Sequence, residues 1–150
     1  MSGSRLPEQP GARSQRSGLR EAVTALGAAV QMPPEGRDRW GAAVLGALES
    51  VQAALTRHTE FTELPDGLFA DVIEQAPRLA NAVGHLRAEH DDLQRRIDGC
   101  RASLRTLEAD ASIATVTADV VKLGQAFEMH SHRGAELVYD AYNVDISAGD

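Results

Sequence analysis

The sequence predicts an all-α protein built as an up-down-up-down four-helix bundle. Aromatic residues make up only 4% of the chain. Alanine is abundant and β-branched residues are scattered, which favours helices over sheets. Apolar residues recur at steps of three and four over several long stretches, as the buried faces of helices do. The 150 residues suffice for one bundle of this size.

The first 18 residues are rich in Ser, Gly, Pro and Arg and offer little for a core to bury. We predict a disordered tail over residues 1–18 and a bundle over residues 19–146. The first helix begins at Leu19 and ends before Pro33, because proline lacks the N–H that a helix interior needs. Its apolar residues lie about one turn apart: Leu19, Val23, Leu26 and Val30.

The second helix is expected to begin near Asp38, a suitable N-cap. Pro65 and Gly67 predict a kink after it, and Pro77 opens the third helix. The second helix has apolar residues in one line and then a histidine: Val44, Leu48, Val51, Leu55 and His58. The third has the longest line, with unbroken steps of four and three: Leu79, Val83, Leu86, His90, Leu93, Ile97, Cys100, Leu104 and Leu107.

The fourth helix follows a turn predicted around residues 108–112. The centre of its apolar face is predicted to hold Val116, Val120, Phe127, Gly134 and Val138. Leu123, His130 and Leu137 are predicted to flank that centre. Residues 147–150 are too polar and glycine-bearing to continue the helix and are predicted to be flexible.

Composition excludes several function classes. A net charge of −7 argues against a nucleic-acid surface, which must supply cations to neutralise phosphates. The chain has no apolar run long enough to span a membrane and no signal-peptide pattern. The single Cys100 suits a reducing compartment and is most simply a core residue. We therefore expect a cytoplasmic protein. No Gly-rich phosphate loop, Cys-x-x-Cys pair or nucleophile elbow is present, so catalytic residues stay unknown.

Three of the five histidines occupy apolar positions. His58 and His90 lie in line with buried residues and His130 lies at the edge of an apolar face, whereas His85 and His132 are predicted to face solvent. In antiparallel helices, residues equidistant from the connecting turn lie at one height. His58 and His90 are equidistant from Glu74, and His90 and His130 from residue 110, each within a predicted turn.

Three histidines at one height in a core suggest a metal site, because bundle cores commonly hold such sites. Imidazole nitrogens that share a zinc or iron ion lie roughly 3–4 Å apart. The alternative is that each imidazole is satisfied by a hydrogen bond, since burying it without a partner is costly. Glu89, next to His90, is predicted to be an ordinary surface charge.

The segments RHTEFTE, RAEHDDL and HSHRGAEL, in that order on successive helices, resemble the hemerythrin-like (HHE) cation-binding family. The resemblance covers roughly residues 19–142 and implies a four-helix bundle with a non-haem di-iron centre that binds or senses oxygen or another diatomic ligand. The family's His-x-x-x-Glu spacing is met by His132 and Glu136. On the second helix position 62 is Thr62, and the acid follows at Glu63.

The ligands available suit one ion better than two. The candidate metal ligands are His58, Glu63, His90 and His130, with His132 and Glu136 as an alternative pair on the last helix. Their imidazole and carboxylate groups fit non-haem iron, with zinc possible. Two other functions stay open: a metal-free bundle that acts as an interaction module, with a protein partner or a second copy, and an oxygen-activating non-haem iron enzyme.

Overall fold

The structure, a computed structural model, describes the backbone of residues 10–33, 35–107 and 110–148. Side chains are described for residues 17–33, 35–107 and 112–143. These residues form five α-helices and one short 3-10 turn, and no strand occurs among them. The helices are α1 (Pro10–Gln31), α2 (Arg37–Glu63), α3 (Leu68–Gln75), α4 (Ala80–Leu104) and α5 (Asp110–Ala148), with the 3-10 turn at Pro77–Leu79.

Four long helices surround the core, which confirms the all-α prediction. Helix α1 packs against α2 and α5, and α4 packs against the same two helices. The short helix α3 lies against α2, α4 and α5. This arrangement lets apolar side chains from all four long helices meet in one interior.

The buried apolar residues form two separate clusters. The larger cluster joins α1, α2, α4 and α5 and comprises Leu19, Leu26, Val30, Trp40, Val44, Leu48, Val51, Ala54, Leu55, Leu93, Ile97, Cys100, Val116, Val120, Leu123 and Phe127. The smaller cluster joins α3, α4 and α5 and comprises Phe69, Val72, Ala76, Val83, Leu86, Leu137 and Ala141. On α4 the gap between the clusters falls at His90, and on α5 it falls at His130.

The predicted apolar line of α4 is largely confirmed. Its central residues are buried, including Leu86, Leu93 and Ile97. Leu79 in the 3-10 turn, Leu104 at the end of α4 and Leu107 beyond it are partly buried. On α5 the prediction for the face centre is confirmed at Val116, Val120 and Phe127, which are buried, and is wrong farther along the helix. Gly134 and Val138 are only half-buried, while the residues predicted to flank them are buried: Leu123, His130 and Leu137. The helix is thus turned so that His130 faces inward.

Helix boundaries differ from the prediction at several places. Pro77 opens a 3-10 turn, and the third long helix, α4, begins only at Ala80. Helix α1 begins at Pro10 rather than at Leu19, so residues 10–18 are helical, and residues 1–9 of the predicted tail lie outside the described residues. Helix α2 has Gly36, not Asp38, at its N-cap. The predicted kink is a complete break at residues 64–67, because Leu64 is extended (φ −61°, ψ 155°) ahead of Pro65.

Of the predicted C-terminus, residues 147–148 are the end of α5, and residues 149–150 lie outside the described residues. Among the described helices, none combines the length and the apolarity needed to cross a lipid bilayer.

Candidate metal centre

Three histidines from three helices meet between the two apolar clusters. His58 comes from α2, His90 from α4 and His130 from α5. His90 and His130 are 3% and 5% exposed, and His58 is half-buried. The prediction that these three side chains lie at one height of the bundle is confirmed.

The imidazole nitrogens are close enough to share one ion. The Nε2 atom of His130 lies 3.1 Å from the Nε2 atom of His90 and 3.3 Å from that of His58. One ring nitrogen from each residue falls within 4.8 Å of the other two. The rings meet edge to face, with centroids 4.8 to 5.4 Å apart. Two of these Nε2 separations lie in the roughly 3–4 Å range of shared zinc or iron ligands.

Two glutamates hold the outer nitrogens of the buried histidines. Glu63 Oε2 lies 2.5 Å from His90 Nδ1, and Glu89 Oε1 lies 2.7 Å from His130 Nδ1. Arg133 donates a 2.5 Å hydrogen bond to the other oxygen of Glu89. Phe69 stacks on the His90 ring, with centroids 5.9 Å apart and planes 12° from parallel. Carboxylates placed in this way orient metal-binding histidines and raise their basicity.

These contacts determine where the ring protons lie. A carboxylate accepts hydrogen bonds, so the Nδ1–H groups of His90 and His130 donate to Glu63 and Glu89. In a neutral imidazole the other nitrogen then carries a lone pair. With both rings in this neutral form, the Nε2 atoms of His90 and His130, 3.1 Å apart, both present lone pairs to each other. A cation placed among these lone pairs turns their repulsion into bonding.

Burial favours neutral His90. It lowers the pKa of His90 from 6.5 to about 4, and the nearby His130 adds to the decrease. The pKa of Glu63 is raised from its usual value, mainly because the carboxylate is partly removed from water. The positive charge of Arg87 reduces this increase. A neutral imidazole is the form that binds a metal.

Four of the predicted site residues come together and two do not. Glu63 lies beside the cluster. Its carboxylate contacts Nδ1 of His90, the ring nitrogen that faces away from the other histidines. His132 and Glu136 lie 3.7 Å apart on the surface, with side chains 74% and 64% exposed. Of the two histidines predicted as alternatives on α5, His130 is the one that lies in the cluster. His132 and His85 are exposed, as predicted.

Glu89 is the residue that sequence reasoning misplaced. Its predicted role was a surface charge, because it lies about 100° round the helix from His90. Its side chain is only 24% exposed and bridges from α4 to His130 and Arg133 on α5. The one sequence signal was its position beside an inward histidine, since a long carboxylate there can reach the adjacent helix.

A cavity of about 640 Å³ adjoins the histidines. His58 and His130 form part of its wall, and much of the remaining wall is apolar: Leu19, Val23, Phe61, Leu68, Phe69, Leu86, Phe127, Leu137 and Val138. Exposed residues also line it, among them Arg20, Thr24 and Glu128, so the cavity reaches the surface. A small molecule can therefore approach the imidazoles from solvent.

Comparison with protein-family models, curated proteins and solved structures finds no match to the chain.

Proposed function

We propose that the protein binds one transition-metal ion through His58, His90 and His130. The observation that carries this proposal is the convergence of three imidazole nitrogens within 4.8 Å, with Nδ1 of both fully buried rings held by carboxylates. Three protein ligands leave a coordination position for an exogenous molecule, as in zinc sites with three histidines. The adjoining cavity gives such a molecule access to this position.

We propose a mononuclear site rather than the di-iron centre that the family resemblance implies. Bridging carboxylates are needed to hold two irons in that family. The two carboxylates beside the cluster, Glu63 and Glu89, instead accept hydrogen bonds from His90 and His130. Imidazole ligands suit iron, zinc and other divalent ions of the first transition row. Ferrous iron is the proposed ion and zinc the alternative.

The proposed role is to bind or sense dioxygen or another small diatomic ligand. When bound, ferrous iron would supply an open coordination position and a redox-active centre. The chain's own contribution is orientation: Glu63 and Glu89 hold the rings of His90 and His130, and the apolar wall limits water. An interaction module without metal is the alternative, and oxygen activation as an enzyme is a further one.

The proposed fold is an up-down-up-down bundle like that of the hemerythrin-like family. Contacts between α2 and α4 support it. Glu49 pairs with Arg101, Gln52 with Gln94 and Glu63 with His90, so residue numbers rise along α2 as they fall along α4. Between α4 and α5, Glu89 contacts both His130 and Arg133. The short connections between α1 and α2 and between α4 and α5 also favour antiparallel neighbours.

Metal analysis of protein carrying no affinity tag tests the proposal. Protein purified and then loaded with ferrous iron or zinc without oxygen should retain one ion per chain after desalting. With iron, the optical spectrum should change when air is admitted and again when oxygen is removed. Two ions per chain would contradict the mononuclear site. If the protein retained zinc but not iron, the assignment of iron as the bound ion would be wrong. If it retained neither metal, the interaction module would be favoured.

A further inference from the structure

The cavity beside the histidines is far larger than a diatomic ligand requires. Its volume is about 640 Å³. A water molecule occupies about 30 Å³ of liquid, and a diatomic molecule is of similar size. Cavities of roughly 300–1,000 Å³ instead hold organic molecules with the size of a drug or cofactor. The volume therefore suits an organic occupant.

The wall of the cavity combines apolar surface with the imidazoles of two proposed metal ligands. Phe61, Phe69, Phe127 and Leu137 contribute apolar surface, and His58 and His130 contribute their rings. Other polar residues line the cavity as well, among them Thr62, Ser131 and His132. An ion shared by the buried imidazoles would provide the strongest anchor for an anionic ligand in this lining.

The charge of the proposed centre selects the head group. Three neutral imidazoles leave both positive charges of a divalent ion without an anionic ligand. A carboxylate supplies an anionic oxygen ligand, which zinc and iron sites accept. At the mouth of the cavity Arg20 and Glu128 carry opposite charges and are both exposed, so the entrance repels neither sign strongly.

We infer that the cavity binds a carboxylic acid with an apolar tail, the carboxylate on the metal and the tail along the apolar wall. Binding of the carboxylate to the metal rests on the proposed function, whereas binding of the apolar tail depends only on the wall of the cavity. Affinity should therefore increase with tail length, by up to about fourfold for each methylene group that becomes buried.

Calorimetric titration of zinc-loaded protein with acetate, butyrate, hexanoate and octanoate tests the inference. Octanoate should bind at least about a hundredfold more tightly than acetate, because six additional methylene groups enter the cavity. Equal affinities for the four acids would overturn the inference. The metal-free protein should keep the dependence on tail length at lower overall affinity, since the apolar wall remains.

Two valines on α5 provide matched variants. Val138 lines the cavity and is half-buried, whereas Val121 is 45% exposed and lies outside the lining. Val138→Trp should weaken octanoate binding at least tenfold by filling the cavity, and Val121→Trp should change it less than twofold. Both should retain one ion per chain. Unaltered octanoate affinity in Val138→Trp would overturn the inference, whereas absence of metal in the parent protein would count against the proposed function alone.

Discussion

His90 distinguishes a metal site from a hydrogen-bonded core. It is 3% exposed, lies between Leu86 and Leu93 in the apolar line of α4, and contacts both His130 and Glu63. His90→Leu should reduce metal content from one ion per chain to a trace. Leucine continues the apolar line, so the free energy of unfolding of the metal-free variant should stay within about 1 kcal/mol of the parent value. Metal analysis and chemical denaturation measure the two quantities.

His85 provides the control on the same helix. It is exposed, so His85→Leu should alter neither metal content nor the free energy of unfolding. Equal loss of metal in both variants would contradict the assignment of His90 as a ligand. Unchanged metal content in His90→Leu would favour a histidine that is only hydrogen-bonded.

Glu89 should act on metal affinity through His130. Its carboxylate accepts the Nδ1–H of His130 and is held by Arg133. Glu89→Gln keeps the shape but removes the charge, and we expect metal affinity to fall about 10- to 100-fold. Competition with a chelator of known affinity measures this change. Glu136→Gln on the exposed face of α5 should leave affinity unchanged, and an equal decrease there would indicate a general charge effect.

Among residues of the site, the inward histidines were predictable and their carboxylate partners were not. His58 and His90 lie in line with apolar residues and His130 lies at the edge of an apolar face. Their distances from the predicted turns place all three at one height. Glu63 was predicted as a ligand, but it contacts the outer nitrogen of His90. The periodicity of a helix gives the direction in which a side chain leaves it, not how far a flexible glutamate reaches across to the next helix.

At the level of elements, α2 ends at Glu63, the residue that contacts His90, and the break before α3 follows directly and includes Gly67. A Cβ atom on Gly67 would lie 2.6 Å from the carbonyl oxygen of Phe61, too close for any side chain. Gly67→Ala should therefore lower the free energy of unfolding by about 1–3 kcal/mol. Denaturation at fixed metal concentration measures it. A change below a few tenths of a kcal/mol would contradict the close approach.

Gly84, in the second turn of α4, provides the opposite case. A Cβ atom there has no heavy atom within 4 Å, so no neighbour must move. Gly84→Ala should raise the free energy of unfolding by about 0.5–1 kcal/mol, because alanine loses less backbone entropy on entering a helix. Both substitutions add the same methyl group, yet Gly67→Ala should lower the free energy of unfolding and Gly84→Ala should raise it.

Element types were more predictable than element ends. The periodicity of α4 extends over its whole length, so its burial pattern could be predicted. The start of α1 could not, because residues 10–18 lack apolar periodicity and yet are helical. Such a segment can become helical by continuing the helix of the packed residues that follow it, such as Leu19 and Leu26.

For the molecule as a whole, the rate at which the Cys100 thiol reacts should measure global unfolding. It is 1% exposed within the larger apolar cluster, and burial raises its pKa from 9.0 to about 11. The thiolate is the reactive form. Reaction with a disulfide reagent at neutral pH should therefore be at least about a thousandfold slower in the folded protein than in denaturant, since the thiol must wait for rare unfolding. Rapid labelling of folded protein would contradict this burial.

The position of the histidines between two apolar clusters has a consequence for cooperativity. The smaller cluster, which includes Phe69, Val72 and Leu137, buries less surface and should open at lower free energy than the larger one. An ion bound at the proposed site on α2, α4 and α5 would join the two halves, so neither half could open without releasing it. In metal-free protein, amide hydrogens of α3 should exchange in a separate, faster step than those of α2. In metal-bound protein the amide hydrogens of α3 and α2 should exchange in a single step. Hydrogen exchange measured by mass spectrometry would show whether metal binding makes the two clusters unfold together.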